Sequence, residues 1–108
     1  MSFPEIAQRF AETSSGTDAF KVFYKEAFKL MQADPVNASL YFVPGIAAQS
    51  FVRNYEDQGI TTEFADRSKA ILVEFNAKIV QALASDPAER LRLLSEVALA
   101  YEWNVHDF

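Results

Sequence analysis

The side chains able to do chemistry in this chain are few and scattered. Four carboxylates, Glu56, Asp57, Glu63 and Asp66, fall within one short stretch. Carboxylates so grouped can hold a metal or exchange protons. A helical di-metal centre, however, takes Glu together with Glu-x-x-His pairs from facing helices, and the chain has a single histidine, His106. The acids at 63 and 66 instead suit the first turn of a helix, where they complement its dipole. His106 has no second histidine, no cysteine and no Met pattern to make it a haem ligand. The serines lie outside any Gly-x-Ser-x-Gly turn. Gly16, Gly45 and Gly59 stand singly, so no phosphate-cradling loop forms. Without cysteine there is no thiolate nucleophile, disulfide or thiolate metal site. The expectation is a non-enzymatic protein with no cofactor, no metal and no catalytic residue.

Charge narrows the partners. The chain carries 10 Lys+Arg against 15 Asp+Glu, a net charge of −5. Residues 1–53 hold five of each sign, and residues 54–108 hold five basic and ten acidic, so the whole excess lies in the second half. A phosphate-backbone binder needs a basic footprint, and no nucleic-acid partner is expected. Lys21, Lys25 and Lys29 form an i, i+4, i+8 row, which reads as a solvated helix face whose stems cover apolar surface. No apolar run approaches the roughly 20 residues that span a bilayer, and the first residues lack the basic and apolar regions of a signal peptide. A cytoplasmic protein with no membrane contact is expected.

The elements that must position any site are helices. Apolar residues recur at three- and four-residue spacing almost throughout. The spacing predicts helices over about 4–12, 18–33, 36–55, 62–84 and 87–103. Phe3, Ile6, Ala7, Phe10 and Ala11 mark the inner face of the first, and Phe20, Phe23, Tyr24, Ala27, Phe28, Leu30 and Met31 that of the second. Val36, Leu40, Val43, Ala47, Phe51 and Tyr55 run through Pro44-Gly45, so the third helix is expected to be kinked or split there. Phe64, Ile71, Leu72, Phe75, Ile79 and Leu83 form the main stripe of the fourth, with a thinner far stripe of Ala70, Val73, Ala77, Val80 and Ala84. Asp86-Pro87-Ala88-Glu89 is a capping-box-like start for the fifth, whose Leu91, Leu94, Val97, Ala98 and Tyr101 are expected to face inward. The fold class is therefore all-α: a single-domain irregular antiparallel bundle of about five helices over residues 1–108. Area scaling for 12.2 kDa gives roughly 6,000 Å² folded, about a third of the extended chain's surface.

Most of the 14% aromatic content falls on these stripes. The exceptions lie near residue 108. Leu99 and Trp103, four residues apart, sit off the inner stripe of the fifth helix, and Phe108 follows. Trp is enriched among the anchors of protein interfaces. Leu99, Trp103 and Phe108 are thus the expected apolar anchors, with Glu96, Glu102 and Asp107 as a charged surround suited to a basic partner. In size and acidity the chain resembles many small bacterial or phage-encoded inhibitor and immunity proteins, a likeness that transfers no residue. The expected function is a small acidic adaptor or inhibitor that occludes a protein partner. Two alternatives stand beside it: a ligand-binding or sensory domain with a Phe-lined apolar pocket, and a self-associating structural subunit, a homo-oligomer.

Overall fold

Ser2 opens the first helix as a full capping box. Its hydroxyl accepts from the Glu5 amide, and the Glu5 carboxylate accepts from the Ser2 amide at 3.3 Å. In the computed structural model, which describes residues 1–108, this helix is α1, Phe3–Glu12. It is followed by α2 (Thr17–Ala33), a 3₁₀ turn (Pro35–Asn37), α3 (Ala38–Tyr55), α4 (Thr62–Leu83), α5 (Pro87–Trp103) and a closing 3₁₀ turn (Val105–Asp107). Thr61 caps α4 by accepting from the Phe64 amide at 3.0 Å, and Asp86 caps α5 by accepting from the Glu89 amide at 2.9 Å. The α2 start differs from expectation. Gly16 precedes it without a side-chain cap, and Thr17 is already helical.

The chain stays joined through Pro44, so of the two forms expected for the third helix the split one does not occur. Proline at 44 removes the backbone donor that would reach the Leu40 carbonyl. Packing compensates: Pro44 and Gly45 are buried where α2 and α3 run against each other. A Cβ on Gly45 would stand 2.6 Å from Cε1 of Phe28, so only glycine lets this ring lie on the α3 backbone.

All five helices contribute to one apolar core. Phe20 and Phe51 stack at its centre, 3.9 Å between centroids and 16° between planes. Phe10 stands edge-on to Phe20 at 5.0 Å and lies 5.4 Å from Phe23, and Phe3 lies against Tyr41 at 5.6 Å. The surface area is 6108 Å², close to the scaling value. The aromatic load is thus chiefly a stability device, since each ring buries a large apolar area and gains from offset or edge geometry. No helix is long and apolar enough to cross a membrane.

Four apolar positions depart from expectation, the first being Ala11 of α1, which faces solvent. Val36 is 88% exposed, because it lies in the 3₁₀ turn rather than on the α3 stripe. In α5 the buried residues are Leu93 and Val97, whereas Leu91 and Ala98 face solvent. The helix is turned by less than one residue step from the expected inner face. Leucine, valine and alanine lie on every side of it, so periodicity alone does not fix its rotation. Arg90 does: its guanidinium is turned inward, donating to the Ala82 and Ser85 carbonyls at 3.2 and 3.3 Å and to Asn37 Oδ1 at 2.9 Å. Along α4, Ala70, Ala77 and Ala84 are exposed and Val73 and Val80 are half-buried against the core, so the far stripe is not a continuous contact face.

Candidate functional site

The outer face of α5 holds the two most exposed large apolar side chains of the five α-helices in water. Leu99 is 72% exposed and Trp103 is 79% exposed. One helical turn separates them, so they form a single patch. The helix that carries them is anchored at its start by Asp86 and the inward Arg90, and at its end by the Asn104 amide, which donates to the Ala100 and Tyr101 carbonyls. On the same flank Arg92 donates from Nε to Glu89 at 2.9 Å and pairs with Glu96 at 3.2 Å. The hydrogen bonds from Arg92 hold the Glu89 carboxyl below its usual range, and the two carboxylates push the guanidinium up. Glu102 is exposed and has no ion-pair partner. The outward charges of the face are therefore Glu89, Glu96 and Glu102 against one arginine, an acidic surround.

Phe108 and Asp107 do not belong to this surface. Phe108 is 1% exposed, with its ring 5.9 Å from Phe75 and 5.8 Å from Tyr101. The 3₁₀ turn after Asn104 folds the segment back over α3 and α4. Ser68 donates to the Asp107 carbonyl at 2.6 Å, Asn54 donates to the Phe108 carbonyl at 3.0 Å, and Arg67 donates to the Asp107 carboxylate at 3.1 Å. An aromatic ring gains more from completing the core than from standing in water, and these polar contacts fix it there. Of the six side chains expected to bind a partner, the structure brings Leu99, Trp103, Glu96 and Glu102 together on one helix and turns Phe108 and Asp107 inward.

The other candidate groups are used within the chain. Glu56 pairs with Lys21 at 2.7 Å, and this contact raises the Lys21 pKa. Asp66 accepts from the Ser15 hydroxyl, and Lys69 donates to the Thr13 carbonyl, so this end of α4 ties down the α1–α2 loop. Lys29 pairs with Glu26 at 3.2 Å, whereas Lys25 is exposed. His106 is exposed, with its carbonyl 3.5 Å from the Tyr55 hydroxyl. No three His, Asp or Glu side chains converge on a point where a metal ion would sit.

Sequence reasoning missed three features. Ala98 lines a shallow groove between α3 and α5, together with Phe42, Val43, Leu94 and Met31 of α2. A pocket of about 220 Å³ opens between α1 and α2, with Ile6, Phe10, Ala19 and Phe23 inside it. Asn76 is buried in α4 with neither its amide nitrogen nor its oxygen hydrogen-bonded. The first two depend on how far neighbouring helices stand apart, which helix periodicity does not set. The third was open to inspection as a polar residue next to the Leu72–Phe75–Ile79 stripe.

Compared with known protein families, curated proteins and solved structures, the chain matches none.

Proposed function

We propose that this chain is a small acidic protein-interaction module of adaptor or inhibitor type, which acts by docking the outer face of α5 on a protein partner and occluding it. The observation that carries this reading is the exposure of Leu99 and Trp103 on one face of a helix fixed at both ends. A tryptophan in water loses the burial free energy that its size offers, and an interface is the environment that recovers it. Rigidity matters as well, because a presented anchor loses little conformational freedom on binding. The carboxylates of Glu96 and Glu102 would favour a partner whose apolar site is bordered by Lys or Arg, chiefly by raising the association rate and the specificity. A cytoplasmic setting belongs to the proposal.

The test is affinity capture from the native cell extract with the wild-type chain and with Leu99→Ala/Trp103→Ala, at low and high salt. A protein retained by the wild type, lost with the double variant and weakened by salt supports the reading. Retention that ignores both substitutions contradicts it. The self-association alternative is separated by light scattering at two concentrations: a dimer abolished by Trp103→Ala would make a second copy of the chain the occupant of this face.

A further inference from the structure

A second face of the molecule carries apolar groups into water, and it does so without charge. α3 and α5 run in the same direction: Arg90 Nη1 donates to Asn37 Oδ1 at 2.9 Å near their starts, and Asn54 Nδ2 donates to the Phe108 carbonyl at 3.0 Å near their ends. The half-buried Met31, Val43 and Leu94 line the groove between them, and the exposed Phe42 and Ala98 border it. Its polar lining is Ser39 and Ser95, with no charged side chain, whereas each of the other main depressions carries at least one Lys, Arg, Asp or Glu. The uncharged surface continues along both helices at helical spacing. On α3 it takes in Ser39, Phe42, Ile46 and Gln49 before Arg53, and on α5 Pro87, Leu91, Ser95 and Ala98 before Glu102. Phe42 is 44% exposed and Leu91 is 65% exposed. Trp103 lies five residues beyond Ala98, about 140° further round α5, so the indole points away from this face.

The charges that end the two rows select the occupant. Arg53 and Glu102 stand at the same end of the face, both exposed and neither in an ion pair within the chain. A second copy related by a two-fold axis along the groove sets its α5 over α3 and its α3 over α5. The uncharged rows then meet each other, and Arg53 of each copy comes to the end of the face that holds Glu102 of the other. An isologous contact of this kind uses the same patch on both copies, and it removes Phe42 and Leu91 from water. A foreign partner would need an equally uncharged surface ending in the opposite order of charges, which a rotated copy of this chain already has. α5, with 17 residues, is about 25 Å long and two packed helices are about 20 Å wide. The contact therefore removes on the order of 1,000 Å² from water in total, the lower bound for a specific interface. We propose that the chain forms a weak two-fold dimer through the α3–α5 face, which leaves both Trp103 side chains free on the outer faces of α5.

Sedimentation equilibrium of the intact chain, from micromolar to millimolar concentration, tests the dimer. The wild type is expected to pass from monomer to dimer with a dissociation constant on the order of 10–100 μM. Ala98→Glu places a carboxylate in the groove of both copies and is expected to weaken the dimer at least about tenfold, as unpaired interface charges do. Arg53→Glu is expected to weaken it by a similar factor, and Arg53→Glu/Glu102→Arg, which exchanges the two charges, to restore it. These three positions are exposed, so the variants keep the fold, which circular dichroism checks. Trp103→Ala is expected to leave the dimer unchanged, and Ala98→Glu to leave capture through the outer face of α5 unchanged, so the two surfaces are tested separately. A chain that is monomeric at millimolar concentration, a dimer indifferent to Ala98→Glu, an exchange of charges that fails to restore what Arg53→Glu removes, or a dimer abolished by Trp103→Ala would each overturn the inference.

Discussion

Trp103 and Phe108, five residues apart, face opposite environments: the indole is 79% exposed on α5, and the phenyl ring, at 1%, is enclosed by Phe75 and Tyr101. Their substitutions must therefore separate stability from function. Phe108→Ala is expected to destabilise the chain by about 3–5 kcal/mol, the range for emptying a buried aromatic site. Trp103→Ala is expected to stay within about 0.5 kcal/mol of wild type, as surface substitutions do. Chemical denaturation followed by circular dichroism measures both. A large loss for Trp103→Ala would show that the indole supports the fold.

Gly45 and Phe28 give a second pair. In an exposed helix, Gly to Ala would add about 1 kcal/mol of stability. Here the new methyl group meets the Phe28 ring, and Ala27 Cβ lies 3.5 Å away, so the ring must leave its place. Gly45→Ala is expected to destabilise by about 1–2 kcal/mol, in the range of overpacking costs. In the background of Phe28→Ala the same substitution becomes neutral or stabilising, and a double-mutant cycle reads the coupling. Independent, additive effects would contradict the close packing of α2 on α3.

Asp34 links stability to pH at both ends of the scale. Its carboxylate accepts from Asn37 Nδ2 at 2.9 Å and from the Tyr41 hydroxyl at 2.7 Å, and these bonds hold its pKa below the usual value. Tyr41 is pushed up to about 12, by burial first and then by the bond to Asp34. A lowered carboxyl pKa gives stability that is complete above the unfolded value, about 4, and is lost as pH falls through the folded one. A raised phenol pKa gives stability that is complete below about 10 and is lost as pH rises towards about 12. Unfolding free energy measured against pH is therefore expected to fall on both flanks. Tyr41→Phe should flatten the alkaline flank. It should also leave a smaller acid dependence, because Asn37 still donates to Asp34. An unchanged alkaline flank in Tyr41→Phe would refute this assignment.

Asn76 offers the opposite sign. A buried amide without partners costs about 1–3 kcal/mol relative to a satisfied or apolar group. Asn76→Leu, which keeps the number and branching of the side-chain heavy atoms and replaces the unpaired amide by bulkier methyl groups, is expected to raise the unfolding free energy by about 1 kcal/mol. A loss of stability would mean that Asn76 is hydrogen-bonded in solution.

These pairs also show what the sequence could and could not reveal. Pro4, Asp34-Pro35, Thr61 and Asp86-Pro87 punctuate the chain through local capping chemistry, so the five helices and most of their bounds were readable in advance. The inner faces of α2 and α4 were readable too, because one side of each is crowded with large apolar groups. The rotation of α5 was not, since Leu91, Leu93, Val97 and Leu99 spread around it and the tertiary bonds of Arg90 select the buried side. The position of Phe108 was hidden for a related reason. Nothing local announces that Ser68, Asn54 and Arg67, all distant in sequence, converge on the last turn. Two of the six side chains expected at the surface therefore moved: Leu99, Trp103, Glu96 and Glu102 form the outer face of α5, whereas Asp107 and Phe108 are buried.

The central claim is that the exposed indole of α5 is a binding anchor. Because Trp103 is the sole tryptophan of the chain, its intrinsic fluorescence reports on that face alone when a tryptophan-free partner, or one labelled to silence its own emission, is used. The decisive measurement is a titration of the full chain with the purified captured protein, following Trp103 emission together with affinity. The account predicts a solvent-type emission in the free chain, a saturable blue shift on binding, and an affinity loss of at least about 2 kcal/mol for Trp103→Ala, as for an interface hot spot. A complex of full affinity in which the emission of Trp103 stays at its solvent position would contradict it.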